Sequence, residues 1–271
     1  MLQSSRNSLN DVLDAVDSRL QGAAGAAATG LGDGLLSIVS AMADSAQLRR
    51  LMADGAIAEE RKRGVLDTLF SGRVDAAALD IAKRAATLHW ARPQDSVTAL
   101  EDAGVTAIAA QAQAEGRLGE VEEELFRFTR LIESDHELGW AFESAAPAET
   151  KRALAANLLD GKAATETVKL AAQAAAHPRG ARVSETLDRY SEVLARRQAR
   201  SVAEVTVAKP MSDEQQERLA AALSAHYGRE LVLNVHVDPD VVGGVRVQVG
   251  DEVMNSTISN RLSDLRRRLA S

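Results

Sequence analysis

Along most of the chain apolar residues recur at the three-and-four spacing of helices, and only about the last seventy positions change to strict alternation. The first stripe, Leu9, Val12, Leu13, Val16 and Leu20, predicts an opening helix with Ser8 as its N-cap. From Gly22 to Gly34 the chain is glycine- and alanine-rich, which reads as a flexible link or as the loose start of a second helix. A long helix is predicted from about Ser96 to Glu115. Another begins at Glu120, where Val121, Leu125, Phe128 and Ile132 form a stripe beside Phe126 and Leu131. Glu120, Glu122, Glu123 and Glu124 fall in its first turn, where the helix dipole favours carboxylates. A solvated acidic turn explains them better than a metal site, because no histidine shares the face. Trp90 and Trp140 are expected to anchor local cores.

Two segments repeat at a separation of about ninety residues. The first runs from about 35 to 93 and contains Leu48, Glu60-Arg61-Lys62-Arg63, Leu69-Phe70-Ser71-Gly72-Arg73, Ala85-Ala86 and Ala91-Arg92-Pro93. The second, about 125 to 179, answers with Leu138, Glu149-Thr150-Lys151-Arg152, Leu158-Leu159-Asp160-Gly161-Lys162, Ala174-Ala175 and His177-Pro178-Arg179. Gly72 and Gly161 stand where a left-handed helix C-cap is wanted. Duplication of a helical unit is the simplest origin.

After Arg196-Arg197-Gln198-Ala199-Arg200 the period changes. Ala203, Val205 and Val207 alternate with polar residues and predict a strand that Pro210 ends. Ser212 with Gln215 is a capping-box arrangement, opening a helix through Leu219, Leu223 and Tyr227 that Gly228 stops. A strand follows over 231–237, closed by Asp238-Pro239. Val245, Val247 and Val249 then share one face of a strand whose other face carries Arg246 and Gln248. Gly250-Asp251 turns it into a short return strand, and a basic helix ends the chain. The fold class is therefore mainly α with a small α+β C-terminal domain: a helical bundle region with an internal repeat over 1–198, then a strand–helix–hairpin–helix module over 199–271.

Composition narrows the function. The 271 residues suffice for two or three small domains, and with only 3% aromatics the buried surface per residue is thin, as in slender Ala/Leu bundles. A net charge of −7 argues against general affinity for nucleic acid. No cysteine is present, so disulfides, thiolate catalysis and cysteine-based zinc sites are excluded, and a reducing cytoplasm fits. Met1-Leu2-Gln3-Ser4-Ser5-Arg6 lacks the apolar stretch of a signal peptide, and no run reaches the roughly 20 apolar residues that span a bilayer. Membrane association is therefore expected through a partner, without direct insertion. The sequon at Asn255 carries no weight without secretion.

Catalytic spacings are missing: a phosphate loop after Gly34 would need lysine where Leu35-Leu36 stand, and no zincin, nucleophile-elbow or dinucleotide motif occurs. His236 with Asp238 is the one candidate acid–base pair, against which a cross-strand hydrogen bond or solvation is the plainer reading. No cofactor and no metal are expected.

The stretch from Asp238 through Val242-Gly243-Gly244-Val245-Arg246-Val247-Gln248-Val249-Gly250 to Met254 resembles the signature of the delta subunits of bacterial rotary ATP synthases, the counterparts of the mitochondrial oligomycin-sensitivity-conferring protein. Val205-Thr206-Val207-Ala208, Gln215-Gln216-Glu217-Arg218-Leu219 and Tyr227-Gly228-Arg229-Glu230 resemble that family's strand, capped helix and turn in the same order. Ser256-Thr257-Ile258-Ser259-Asn260-Arg261-Leu262 match its closing polar pair and basic helix. Where the family usually has aspartate this chain has Asn255, read as a turn or cap that Asn can also fill. The resemblance covers about Glu120 to Ser271, and the duplicated form is similar to delta subunits of high-GC Gram-positive bacteria.

The resemblance implies a non-catalytic peripheral-stalk subunit, peripheral on the cytoplasmic face of the cell membrane. Its partners would be N-terminal helices of alpha subunits and the b subunits of the stalk. An amphipathic partner helix would seat in an apolar groove, expected around Leu9, Val12, Leu13 and Val16 or along Leu125, Phe128 and Ile132; the alternative is that both stripes are internal. The rivals are a generic helical adaptor with an unrelated partner and a small enzyme using His236 and Asp238.

Overall fold

The computed structural model describes residues 2–20, 26–200, 202–227, 231–238, 244–249 and 252–255. Among them are α1 (Gln3–Leu20), α2 (Ala26–Asp44), α3 (Ala46–Ala53), α4 (Glu59–Phe70), α5 (Ala76–Thr87), α6 (Pro93–Ala114), α7 (Leu118–Ser134), α8 (His136–Glu143), α9 (Ala148–Leu159), α10 (Thr165–Ala176) and α11 (Val183–Arg200). Then come β1 (Val202–Val207), α12 (Asp213–Tyr227), β2 (Val232–Val237), β3 (Val245–Val249) and β4 (Glu252–Asn255). The chain divides into two compact units, Met1–Ala195 and Arg196–Ser271.

In the first unit the repeat is wider than its sequence signature. Leu31, Leu35, Ile38, Val39 and Met42 of α2 are buried, and so are Val121, Leu125, Phe128, Thr129 and Ile132 of α7, each ninety positions on. Ser45 caps α3 through its hydroxyl, and Asp135 caps α8 through its carboxylate. Helices α4 and α5 answer α9 and α10, the loop before α9 being one residue shorter than the loop before α4.

Each copy closes around its own core. Val12, Val16, Leu35, Met42, Phe70, Ile81 and Leu100 belong to the first. Ile108, Leu125, Phe128, Phe142, Leu170 and Tyr190 belong to the second, where the Phe128 and Phe142 rings meet edge-on at 6.2 Å. Helix α6 serves both: Val97, Leu100 and Ala103 point into the first core, Val105, Ile108 and Ala112 into the second. It is buried without a break from Ala99 to Ala110, Glu101, Asp102 and Thr106 included.

Several expectations are corrected. Ser8 is not a cap, because α1 begins at Gln3 and the Ser8 hydroxyl donates to the His89 carbonyl at 2.7 Å. Gly30, Gly32 and Gly34 lie inside α2, while Gly22 to Gly25 fall outside the described residues. A Cβ on Gly32 would stand 2.7 Å from Ile108, and one on Gly34 2.7 Å from Ala78, so these glycines serve close helix approach. Gly72 and Gly161 do take positive φ, 73° and 65°, but as the third residue of a turn closed by Arg73 N–H to Phe70 and Lys162 N–H to Leu159, each at 3.0 Å. With the preceding residues extended, these are type II turns following the helix.

The second unit is a four-stranded sheet of order β2-β1-β3-β4. Strands β1 and β2 are parallel, joined through α12, and β3 and β4 are added antiparallel. Ala203, Val205, Val207, Val247 and Val249 bury one face with Leu223 of α12. The capping box forms: Gln215 N–H donates to the Ser212 hydroxyl at 3.3 Å, and Ser212 N–H to the Gln215 side chain at 3.0 Å. Gly228, Pro239, the Gly250-Asp251 turn and the C-terminal basic helix lie outside the described residues.

Candidate functional site

The two stripes expected to form a partner groove are turned inward. Val12 and Val16 are wholly buried, with Leu9 and Leu13 packed beside them in the first core. Leu125, Phe128 and Ile132 are buried in the second. A helix stripe at core spacing is filled first by its own bundle. Trp90 does anchor a core, its indole donating to the Ala85 carbonyl at 2.8 Å. Trp140 does not: it is 71% exposed, as Phe126 is 57%.

What the first unit concentrates instead is a charged joint. Glu101, on α6, is fully buried and accepts from Arg179, from Arg189 of α11 and, at 2.7 Å, from the Tyr190 hydroxyl. Arg189 also bonds Asp102 and lies over the Tyr190 ring, 5.3 Å from its centroid. Burial works against the Arg189 charge, but Glu101 and Asp102 together hold its pKa above the ordinary value. Burial, reinforced by Glu101, drives the Tyr190 phenol well above its usual range, so it stays a donor. Arg179 reaches the joint from a turn in which it and Gly180 have φ of 54° and 85°. Such a conformation is costly for a residue with a Cβ and persists because its surroundings hold it.

The copies meet along a polar seam. Lys169 pairs with Asp33 at 2.7 Å, the Ser40 hydroxyl bonds Gln173 at 3.2 Å, and His177 faces Asp44 at 3.9 Å. Two further buried groups tie helices together. Lys62 gives its ammonium to the carbonyls of Met52 and Ala86, at the C-terminal ends of α3 and α5, at 3.3 and 2.9 Å. Burial lowers its pKa. Glu124 is not part of a solvated acidic turn, because its carboxylate accepts from Ala164 N–H at 2.9 Å and from the Thr167 hydroxyl. None of these groups announces itself in sequence, since their partners lie from ten to more than a hundred residues away.

In the second unit the signature residues build the sheet. Gly244 has φ of 91°, Val247 and Val249 are buried, and Val245 packs at the rim of the core. Asn255 ends β4, paired with Arg246, and the residues it would turn or cap lie outside the described residues. Gly243, Gly250, Ser256, Arg261 and Leu262 lie outside the described residues. His236 meets Glu204 across the strands at 2.8 Å on the exposed face, and Asp238 donates its backbone N–H to Val207. The hydrogen bonds from Asn234 and His236 lower the Glu204 pKa. The cross-strand bond of His236 is made with Glu204. Among the described residues no group of three or more His, Cys, Asp or Glu is placed to hold a metal, and no helix is long and apolar enough to cross a membrane.

Residues 105–269 match the family described as ATP synthase delta (OSCP) subunit. That span begins inside α6 and covers the second copy and the sheet. The chain is 38% identical over 267 residues to ATP synthase subunit delta of Thermobifida fusca, covering 98% of each. It is 42% identical over 249 residues to that of Kineococcus radiotolerans, covering 92% of this chain and 90% of the relative. With that of Streptomyces coelicolor it shares 41% over 242 residues, 89% and 88% of the two chains.

Proposed function

Because the chain belongs to the ATP synthase delta (OSCP) subunit family, it is a non-catalytic peripheral-stalk subunit of an F-type ATP synthase, and we propose that it ties the catalytic head to the b subunits. In this reading residues 1–198 grip N-terminal helices of alpha subunits and residues 199–271 join the b subunits, on the cytoplasmic face of the cell membrane. A stator holds the head against the rotor, so it needs two grips and a stiff body between them. It needs no reacting group.

The observation that carries this reading is the pair of independently cored units, one purely helical and one built on a sheet. Stiffness within the helical unit is supported by α6, which belongs to two cores, and by the buried Glu101–Arg189 joint. The test is to titrate the full chain, and the segments 1–198 and 199–271 separately, with a peptide of the alpha N-terminus and one of the b C-terminus. The first segment is expected to hold only the alpha peptide and the second only the b peptide. Both peptides on one segment would overturn the assignment.

A further inference from the structure

A helix face that the first copy of the repeat ties to a second helix through side-chain bonds carries no such partner in the second copy. On α2 that face is Asp33, Leu36, Ser40 and Asp44; Lys169 and Gln173 of α10, and His177 just beyond its end, reach Asp33, Ser40 and Asp44, of which Asp33 and Asp44 stay exposed. The two residue sets rise together, so the helices run parallel. Leu36 is 7% exposed, its side chain lies close over Gly104 of α6, and it belongs to the second core. Ninety positions on, the same face of α7 is Glu123, Phe126, Arg130 and Ser134, all exposed, with Phe126 at 57%.

We propose that this α7 face receives an amphipathic helix of another subunit, parallel to α7, carrying Lys or Arg followed four residues later by Asp or Glu. It is a third contact, separate from the two grips above. The geometry follows from the occupied copy, and the charges decide the occupant. Glu123 keeps the sign of Asp33 and so calls for the cation that α10 supplies as Lys169. Arg130 replaces the neutral Ser40, which turns the position of Gln173 into one for a carboxylate. The exposed pair of Glu123 with Arg127, one turn along at 2.8 Å, is weak and gives way to a docked cation.

The same charges reject a second copy of this chain. The counterpart of α10 in the first copy is α5, which carries Asp80 where α10 has Lys169 and Arg84 where it has Gln173. Docked in the same register, Asp80 would meet Glu123 and Arg84 would meet Arg130. Like charges at both positions stop the repeat from propagating from molecule to molecule.

The probe is a labelled peptide of sequence Ala164–His177 bearing Gln173→Glu, titrated into the full chain. Saturable binding is expected, weakened at least about tenfold by Phe126→Asp, an exposed position, and by Glu123→Lys with Arg130→Glu. A peptide with Lys169→Glu and Gln173→Lys is expected to bind that double variant and not the parent. Sedimentation should find the parent monomeric, whereas the double variant, now matched to Asp80 and Arg84, self-associates. No binding by the parent, binding indifferent to these changes, or self-association of the parent abolished by Phe126→Asp would each overturn the proposal.

Discussion

The Glu124 carboxylate caps a helix that begins forty residues later, accepting the Ala164 N–H at 2.9 Å at the start of α10. In the first copy the corresponding cap is local: Asp75 accepts from Ala77 and Ala78 at the start of α5, and Gly34 stands where Glu124 would be. The two copies thus satisfy the start of the matching helix differently, one with a neighbouring side chain and one with a distant one. Glu124→Ala is expected to destabilise the helical unit by about 1–2 kcal/mol, and adding Ala164→Asp to return about half of it. Urea unfolding followed by helical circular dichroism measures both. If Ala164→Asp gives nothing back, the two caps are not equivalent.

Removing Glu101 takes their buried acceptor from Arg179 and the Tyr190 hydroxyl and leaves Arg189 with Asp102 alone as its carboxylate partner. Glu101→Ala is expected to cost about 3–5 kcal/mol, the penalty of an orphaned buried charge. Arg63→Ala, which breaks the exposed pair with Glu59, is expected to cost under about 1 kcal/mol. Equal midpoints for the two variants would deny the joint its role.

His177 makes the seam sensitive to acid. Burial, the leading cause, holds its pKa below the ordinary 6.5, and the nearby Asp44 charge only partly offsets this. As pH falls below about 6.5 the unfolded chain takes up this proton before the folded one, so stability drops on acidification and is insensitive to this group above that range. Leu88 occupies the matching place in the first copy. His177→Leu should therefore flatten the stability profile between about pH 7.5 and 5, read from urea midpoints. An unchanged slope would place the acid sensitivity elsewhere.

Gly244 enters β3 at a φ of 91°, where a β-branched residue is strained by about 1–3 kcal/mol. Gly244→Val is expected to weaken binding of a b C-terminal peptide to the full chain while leaving an alpha N-terminal peptide unaffected. Loss of both together would contradict separate grips.

Elements with their own period were legible in the chain: the α7 stripe, the alternation of β1 and β3, and the Ser212–Gln215 box all form. Local chemistry misled where a distant partner intervened. Ser8 has the right residue type for a cap, but its hydroxyl is spent on His89, eighty-one positions away. Trp140 looks like a core anchor, yet Phe142 fills that side of α8. The apolar stripes that promise a groove are consumed by the bundle itself, and the exposed apolar residue on α7 nearest that stripe is Phe126.

That shared helix binds the fates of the two copies together. Strip away either set of neighbours and α6 exposes half its girth of alanine, valine and isoleucine, so neither bundle is a spare part that selection could later discard. The pair should melt as one body, with the slowest amide exchange of the unit along Ala99–Ala110. An extension acquired by copying has become a wall of the room it was added to.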